Sequence, residues 1–200
     1  MKLNLVKWSS PLAATLLAAV LFTGCKKDDP DPVTPKPVET APVTKTFFLN
    51  QPVTITASGS GNYEYGMKFT VTQAGKVTKL ASRMPQAGTY RITLWDASAT
   101  PKVALATANI TQPAAALTYQ AITAAQLTTG KDYMITVWSS GQWYEIRPVG
   151  SPTFAYPITI GSINLTGYQW ISSAASPQTF PTNADNTYVA GLADFEFQPD

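Results

Sequence analysis

Apolar and polar residues alternate with a period of two along most of the chain from residue 46 onward. The pattern is clearest in Tyr63–Val71, where every second residue from Tyr63 is apolar or aromatic and Glu64 and Lys68 stand between them. Successive side chains of a β-strand point to opposite faces, so this segment is predicted to be a strand with one buried and one solvated face. No long stretch of this region has apolar residues at helical spacing. The chain is therefore expected to be all-β.

Turn residues separate the predicted strands at the short, regular intervals that are typical of an antiparallel β-sandwich or barrel. Residues 46–200 are enough for one domain with one core. We expect a sandwich of the immunoglobulin- or fibronectin-like Greek-key type or of the jelly-roll type. The turn Gln73-Ala74-Gly75 predicts a hairpin between Tyr63–Val71 and residues 76–84. Further strands are predicted at residues 88–96, 103–110, 116–122, 133–138 and 142–146.

Leu127, Gly130 and Tyr133 form a Leu-x-x-Gly-x-x-Tyr motif directly before the alternating residues 134–137. The motif resembles the tyrosine corner of Greek-key sandwiches, in which the phenol hydroxyl bonds to the upstream backbone while the ring packs in the core. The alternative is an ordinary buried tyrosine at the start of a strand. In both cases Tyr133 is expected to have a structural role.

Cys25 is the one cysteine of the chain and ends the sequence Leu-Phe-Thr-Gly-Cys. Lys2 and Lys7 give a basic start, and a mainly apolar run follows over residues 12–22. The pattern resembles a bacterial lipoprotein signal, which implies that residues 1–24 are removed and that the Cys25 sulfur receives lipid. A run of this length is well short of the roughly 20 residues that span a bilayer. Two or three acyl chains anchor a protein stably, so we expect attachment to a membrane through the N-terminal lipid.

Residues 25–45 have the composition of a tether. After Cys25 this segment contains five prolines, four basic and four acidic residues and no aromatic residue. Such a chain buries too little apolar surface to offset the cost of ordering, and it favours an extended, disordered linker. The expected organisation is a signal peptide over residues 1–24, a lipidated and proline-rich tether over 25–45, and a sandwich domain over 46–200.

The charges after Cys25 bear on location and partners. The sequence Lys-Lys-Asp-Asp at residues 26–29 looks like the export signal of surface lipoproteins in Bacteroidota-type bacteria. We therefore expect a surface-exposed protein on the outer membrane, with a periplasm-facing protein as the alternative. Residues 46–200 carry eight basic and eight acidic side chains, scattered along the chain. Binding to nucleic acid requires clustered basic residues, so that class of partner is excluded.

The residue types of the chain limit its chemistry. It contains no histidine, and its one cysteine is the expected lipid site, so Ser-His-Asp, Cys-His and ordinary zinc sites lack their residues. Asp194 and Glu196 are two apart on a predicted strand, which separates their Cα atoms by about 6.8 Å, near the carboxylate separation of inverting glycosidases. Two carboxylates on a solvated strand face are common, so we expect no catalysis and no cofactor. The loop at residues 183–186 offers one acid, too few to predict a calcium site.

Aromatic and polar side chains cluster in two segments of the second half of the chain. Sugar rings stack on flat aromatic rings while nearby amide and guanidinium groups bind their hydroxyls, so these segments predict a glycan-binding platform. The alternative is that the aromatic rings belong to the core. The candidate residues are Trp138, Gln142, Trp143, Tyr144, Arg147, Tyr168 and Trp170.

Several segments together resemble domain-of-unknown-function family 4082, over about residues 51–198. The resemblance implies a bacterial extracellular β-sandwich, often found beside carbohydrate-active and immunoglobulin-like modules, and it carries over no catalytic residue. The segments are Tyr65-Gly66-Met67-Lys68-Phe69, Gly75-Lys76-Val77-Thr78, Tyr90-Arg91-Ile92-Thr93-Leu94-Trp95, residues 127–133, Phe180-Pro181-Thr182 with Tyr188-Val189, and Asp194-Phe195-Glu196-Phe197.

Two classes of function remain open. The first is a non-catalytic lipoprotein that displays a glycan-binding domain, with a polysaccharide as its partner. The second is a structural or adhesion protein that binds a surface protein, for example through an open sheet edge.

Overall fold

A computed structural model describes residues 37–175 and 177–200 of the chain. The predicted signal peptide, Cys25 and most of the predicted tether lie outside the described residues and stay predictions. No helix in the described part is long and apolar enough to cross a membrane.

The described residues form fourteen strands and two short helical segments. The helical segments, α1 (Pro42–Lys45) and a π-helical turn (Thr46–Asn50), lie near the start of the domain. The strands are β1 (Glu39–Thr40), β2 (Val53–Ser58), β3 (Tyr63–Val71), β4 (Gly75–Ser82), β5 (Gly88–Asp96), β6 (Val103–Gln112), β7 (Thr118–Leu127), β8 (Tyr133–Ser139), β9 (Trp143–Pro148), β10 (Ile158–Ile160), β11 (Ile163–Ser172), β12 (Asn183–Asp185), β13 (Val189–Ala190) and β14 (Ala193–Pro199).

These strands pair antiparallel in three sheets. The seven-stranded sheet has the order β10-β11-β3-β8-β5-β6, with β12 paired to β11 beside β10. The four-stranded sheet has the order β1-β14-β4-β7, and the three-stranded sheet has the order β13-β9-β2. The strands predicted at residues 88–96, 103–110, 116–122, 133–138 and 142–146 are therefore present as β5 to β9, with ends shifted by at most five residues.

The core lies between the sheets. Phe69 of the seven-stranded sheet stacks on Phe195 of the four-stranded sheet with ring centroids 4.7 Å apart. The Trp143 ring of the three-stranded sheet lies against Tyr65, which is on the same face of β3 as Phe69, with ring centroids 5.2 Å apart. Burial of such apolar area is the main favourable term in folding. The predicted antiparallel β-sandwich is confirmed.

The predicted face pattern of β3 is confirmed on its core side and wrong for one residue on the other. Tyr65, Met67 and Phe69 are buried in the core as expected. Glu64, expected on a solvated face, is 0% exposed. The reason is that the chain after β11, residues 173–175 and 177–181, crosses this outer face; we call it the crossing segment. Its Phe180 packs on Trp95 of β5, with ring centroids 5.6 Å apart.

The predicted hairpin between β3 and β4 is wrong. β3 pairs with β11 and β8 in the seven-stranded sheet, whereas β4 pairs with β14 and β7 in the four-stranded sheet. The turn at residues 73–74 therefore carries the chain from one layer to the other. Local turn chemistry predicted a change of direction but not the partner of either strand.

The domain begins earlier than the predicted boundary at residue 46. Glu39 and Thr40 of β1 pair with β14, and Val43 of α1 is 2% exposed in the core. The Glu39 carboxylate also accepts bonds from the Ser162 backbone N–H, at 2.9 and 3.0 Å, in the turn between β10 and β11. The last residues assigned to the tether are thus part of the sandwich.

Tyr133 has the contacts expected of a tyrosine corner. Its side chain is 2% exposed, and its hydroxyl accepts a bond from the Thr128 backbone N–H at 2.8 Å. The same hydroxyl donates to the Thr128 carbonyl at 3.3 Å. Leu127 is buried beside it in the core, and Gly130 has a φ of +78°, a conformation that glycine adopts without strain.

Candidate functional site

The predicted aromatic platform is divided between the two faces of the seven-stranded sheet. Trp143 and Trp170 lie on the core side, where each packs on Tyr63, at 5.3 and 5.9 Å between ring centroids. Trp138 lies on the outer face of β8, opposite Glu64 of β3. Its indole Nε1 donates to the Ser173 carbonyl at 3.1 Å. One continuous platform is therefore wrong, because neighbouring segments of the chain send these rings in opposite directions.

Tyr168 is wrong as a stacking residue. Its side chain is 1% exposed and packs 5.6 Å from the Tyr188 ring in the core. A ring buried on both faces cannot receive a sugar from solvent. Burial raises the pKa of its hydroxyl well above the usual value, with the neighbouring Tyr188 as a second cause.

The remaining predicted residues are half-buried or exposed but do not converge. Tyr144 packs edge-on to Phe48 at 5.5 Å. Arg147 donates to the Glu145 carboxylate at 2.7 Å. Gln142 is exposed, and its backbone N–H donates to the Gln86 side chain at 3.4 Å. These residues follow one another in sequence but do not surround a common cavity.

A buried ion pair occupies the outer face of the seven-stranded sheet. Arg91 Nη2 lies 2.6 Å from the Glu64 carboxylate, and the two side chains are 15% and 0% exposed. Thr136 donates to Glu64 at 2.6 Å and accepts from the Trp95 indole at 3.1 Å. Burial raises the pKa of Glu64, while the bonds from Thr136 and Arg91 lower it in part. The crossing segment and these bonds leave no open space for a substrate around Glu64.

The two carboxylates considered for catalysis have structural partners. Asp194 is fully buried and accepts bonds from the backbone N–H groups of Val43 at 3.2 Å and of Thr44 at 2.6 Å. Burial raises its pKa to about 6, partly opposed by these bonds. Glu196 pairs with Lys79 at 3.0 Å. Burial alone would raise the pKa of Glu196, but the bonds from Lys79 and Thr78 outweigh it and lower the pKa.

A notch lies in the outer edge of β11, between the two short strands that pair with this edge. β10 pairs with β11 as far as Leu165, and β12 pairs with β11 from Tyr168 onward. Between these two short strands the β11 edge is unpaired at Thr166 and Gly167, where the strand also bulges. The notch has a volume of about 360 Å³.

The residues that line the notch include one carboxylate and two buried hydroxyl groups. The Tyr156 hydroxyl and the Thr166 Oγ1 atom are buried and have no hydrogen-bond partner within the described part of the protein. Asp185 accepts two bonds from Thr187 at its Oδ1 atom, each at 2.7 Å, and among the described residues its Oδ2 atom has no hydrogen-bond donor. Asn186 is exposed at the rim, and its carbonyl accepts from the Phe154 N–H at 2.7 Å.

Sequence reasoning missed most of this site. It named Tyr168, which lines the notch, only as a stacking ring, and it considered Asp185 and Asn186 only as calcium ligands. It did not consider Tyr156 or Thr166. No group of three or more acidic, histidine or cysteine side chains that could hold a metal is found in residues 37–175 and 177–200. The polar turn at residues 183–186 was the one visible signal, because the gap between β10 and β12 arises only when both strands meet β11.

A second surface feature lies on the opposite side of the sandwich. β6 and β7 are the outermost strands of the seven- and four-stranded sheets, and a groove of about 570 Å³ runs between them. Each strand has ten residues, and neither contains a charged residue. Natural sheet edges usually carry charges, prolines or a covering segment that prevent pairing with other chains.

Comparison with known protein families finds no match to this chain, and comparison with curated proteins finds no relative. The resemblance to domain-of-unknown-function family 4082 therefore stays a prediction.

Proposed function

We propose that this chain is a non-catalytic lipoprotein of the cell envelope whose β-sandwich binds glycans outside the cytosol. The lipid on Cys25 holds it in the outer membrane, with the sandwich facing the surroundings of the cell. The support for anchoring is the signal sequence before Cys25 and the proline-rich segment that follows.

The notch is the observation that supports glycan binding. It combines a volume in the range of small-ligand sites with two hydroxyls that have no partner among the described residues and with a carboxylate, Asp185, whose protein bonds are made by Oδ1 alone. Buried polar groups in folded proteins nearly always have partners, so two unpartnered hydroxyls in one cavity wall favour a polar ligand. Sugars supply many hydroxyls that both donate and accept.

Structural use of the candidate carboxylates supports a non-catalytic role. Asp194 is 0% exposed and binds backbone N–H groups, and Glu196 is paired with Lys79. A glycosidase needs two carboxylates that face the same sugar across an open cleft. Asp185 is the one carboxylate at the notch.

The anchor is tested by mass spectrometry of the native protein and by protease treatment of intact cells. We expect an N-terminal acylated Cys25 and digestion of the sandwich at the cell surface. The Cys25→Ala variant is the control and should leave the membrane fraction. An intact N-terminal methionine with a free thiol would contradict lipid anchoring, and a protected sandwich would favour the periplasmic face.

Glycan binding is tested with the purified full chain on immobilised polysaccharides of bacterial and host origin. We expect concentration-dependent binding to at least one of them, displaced by the corresponding free oligosaccharide. Absence of binding across the whole set would refute this part of the proposal. Release of reducing sugar during the same incubation would refute the non-catalytic role.

The second candidate is a protein-binding role, and the β6–β7 groove favours it. Two long, uncharged sheet edges can pair with an extended segment of a partner protein through main-chain hydrogen bonds. A lysine at an exposed edge position opposes such pairing. We expect Thr107→Lys on β6 to abolish a crosslink from this edge to a surface protein in intact cells, while Ser140→Lys in the β8–β9 loop leaves it unchanged. If both variants crosslink equally well, the β6 edge is not the surface that binds the partner protein.

A further inference from the structure

The size of the notch limits what it can hold. It is closed along the β11 edge by β10 on one side and β12 on the other. The last paired residues, Leu165 and Tyr168, are three positions apart, so the opening is about 10 Å long at 3.3 Å per residue. Its volume of about 360 Å³ is at the lower end for small-ligand sites. One sugar ring fits this space, whereas a chain that continues in both directions would meet β10 and β12.

The hydrogen-bonding groups of the notch match a ring that carries hydroxyls. Tyr156 and Thr166 each offer a hydroxyl that can donate and accept, and Asp185 Oδ2 can only accept. Burial, and then the nearby Asp185 charge, raise the pKa of Tyr156, so its hydroxyl stays protonated and able to donate. A sugar hydroxyl that donates to Asp185 can accept from a neighbouring hydroxyl of the wall.

The charge of the notch sets its preference among sugars. Asp185 is the one charged residue among those that line it, and no lysine or arginine is among them. A sugar that carries a carboxylate would lie beside the Asp185 charge, and Lys68, which lies opposite Gly167 on β3, is already paired with Asp132 at 3.7 Å. Like charges at such short range in a partly desolvated site are unfavourable.

We infer that the β11 notch binds the terminal, uncharged sugar unit of a glycan chain and rejects sugars that carry a carboxylate. The inference rests on the proposed glycan-binding function and assigns that function to one site. Asp185 and the hydroxyls of Tyr156 and Thr166 orient the ring, and β10 and β12 exclude the interior of the chain.

Gly167 provides a variant that fills the notch and spares the fold. A Cβ atom built at Gly167 has no protein atom within 4 Å, and its φ is outside the left-handed region. Gly167→Val therefore places a branched side chain in the open space of the notch. Ala124→Val on β7 is the matched control, since it adds the same kind of bulk on an exposed strand at the other side of the sandwich.

The experiment uses the full chain, purified in detergent, and an array of oligosaccharides. The probes end in glucose, galactose, mannose or N-acetylglucosamine, and each has a counterpart capped with glucuronate or N-acetylneuraminate. We expect binding to at least one neutral-ended probe and at least tenfold weaker binding to its capped counterpart. Gly167→Val should abolish binding, and Ala124→Val should leave it unchanged.

Asp185→Asn gives an independent test, because the asparagine side-chain oxygen can still accept the two hydrogen bonds from Thr187. Loss of a hydrogen bond to a charged group should weaken binding of the neutral-ended probe by roughly tenfold or more. Unfolding in urea, followed by tryptophan fluorescence, should be the same for the variants and the parent protein. If Gly167→Val alone fails this folding check, Asp185→Asn and Thr166→Val decide the outcome.

The possible results separate the inference from the proposed function. Binding that survives Gly167→Val, Asp185→Asn and Thr166→Val would overturn the notch and leave glycan binding in place. Equal binding of capped and neutral-ended probes would overturn the selectivity for an uncharged chain end. Binding to none of the probes, together with none to the immobilised polysaccharides, would overturn the proposed function as well.

Discussion

Asp194 is a carboxylate that burial should make costly to ionise. Its side chain is 0% exposed, and its pKa is raised from 3.8 to about 6. The backbone N–H groups of Val43 and Thr44 bind the carboxylate at 3.2 and 2.6 Å but do not compensate for its removal from water. We predict that Asp194→Asn, which removes the charge, changes the pH dependence of stability.

The sign of the effect follows from proton binding. Between pH 3.8 and about 6 the folded protein keeps a proton on Asp194 that the unfolded chain has lost. The contribution of Asp194 to stability is therefore complete below the unfolded pKa and is lost as the pH rises through the folded pKa. A rise of about two pKa units corresponds to about 3 kcal/mol, at 1.36 kcal/mol for each unit.

The assay is urea unfolding of the parent protein and the variant at pH values from 4 to 7. The free energy of unfolding of the variant, minus that of the parent, should increase by about 2 kcal/mol over this range, because the unfolded carboxyl is already partly ionised at pH 4. Asparagine has one side-chain oxygen fewer than aspartate, and the loss of that hydrogen-bond acceptor costs stability. This cost does not depend on pH, so it does not affect the change in stability difference between pH 4 and pH 7. Burial, and then the charges of Asp194 and Glu196, raise the pKa of Tyr119 to about 12, so Tyr119 does not titrate in this range.

Glu196→Gln is the control, and its effect should have the opposite sign. The folded pKa of Glu196 is lowered, so this carboxylate stabilises the protein above its unfolded pKa and loses that effect as the pH falls. The stability of the Glu196→Gln variant relative to the parent should therefore decrease as the pH rises. A difference for Asp194→Asn that stays flat from pH 4 to 7 would refute the burial argument.

Two further predictions concern the sandwich. Tyr133→Phe should lower the free energy of unfolding by about 1 kcal/mol or more, since the Thr128 N–H loses its partner; an unchanged urea midpoint would identify Tyr133 as an ordinary core residue. Arg91→Met should destabilise the protein at pH 7 by about 3 kcal/mol or more, because Glu64 is left buried without its cation. The loss should be smaller at pH 4, where Glu64 can bind a proton, and an equal loss at both pH values would argue against a charged Glu64.

The fold class could be predicted because it depends on a local pattern. Alternation in β3 places Tyr65, Met67 and Phe69 in the core whatever strand lies beside them. The choice of partner strands depends on contacts between distant parts of the chain. For that reason a turn at residues 73–74 was wrongly expected to close a hairpin, and β3 instead pairs with β11, about a hundred residues later.

The candidate site was less predictable for the same reason. Alternation assigns Glu64 to the outer face, but it does not show that the crossing segment covers that face. Trp138 and Trp143 are five positions apart, yet they lie on different sides of the seven-stranded sheet. The notch exists only where two short strands leave part of β11 unpaired, and no single segment of sequence carries that information.

Glu39 gives the proposed anchor a mechanical connection to the proposed binding site. A pull on the chain before this residue reaches the sandwich through a two-residue strand and through the Glu39 carboxylate, which holds the turn at Ser162. That turn joins β10 to β11, and β10 forms one wall of the notch. Drag on a captured glycan and the restraint of the lipid would therefore meet at the Glu39–Ser162 contact, which joins the edge strand β1 of the four-stranded sheet to the β10–β11 turn of the seven-stranded sheet.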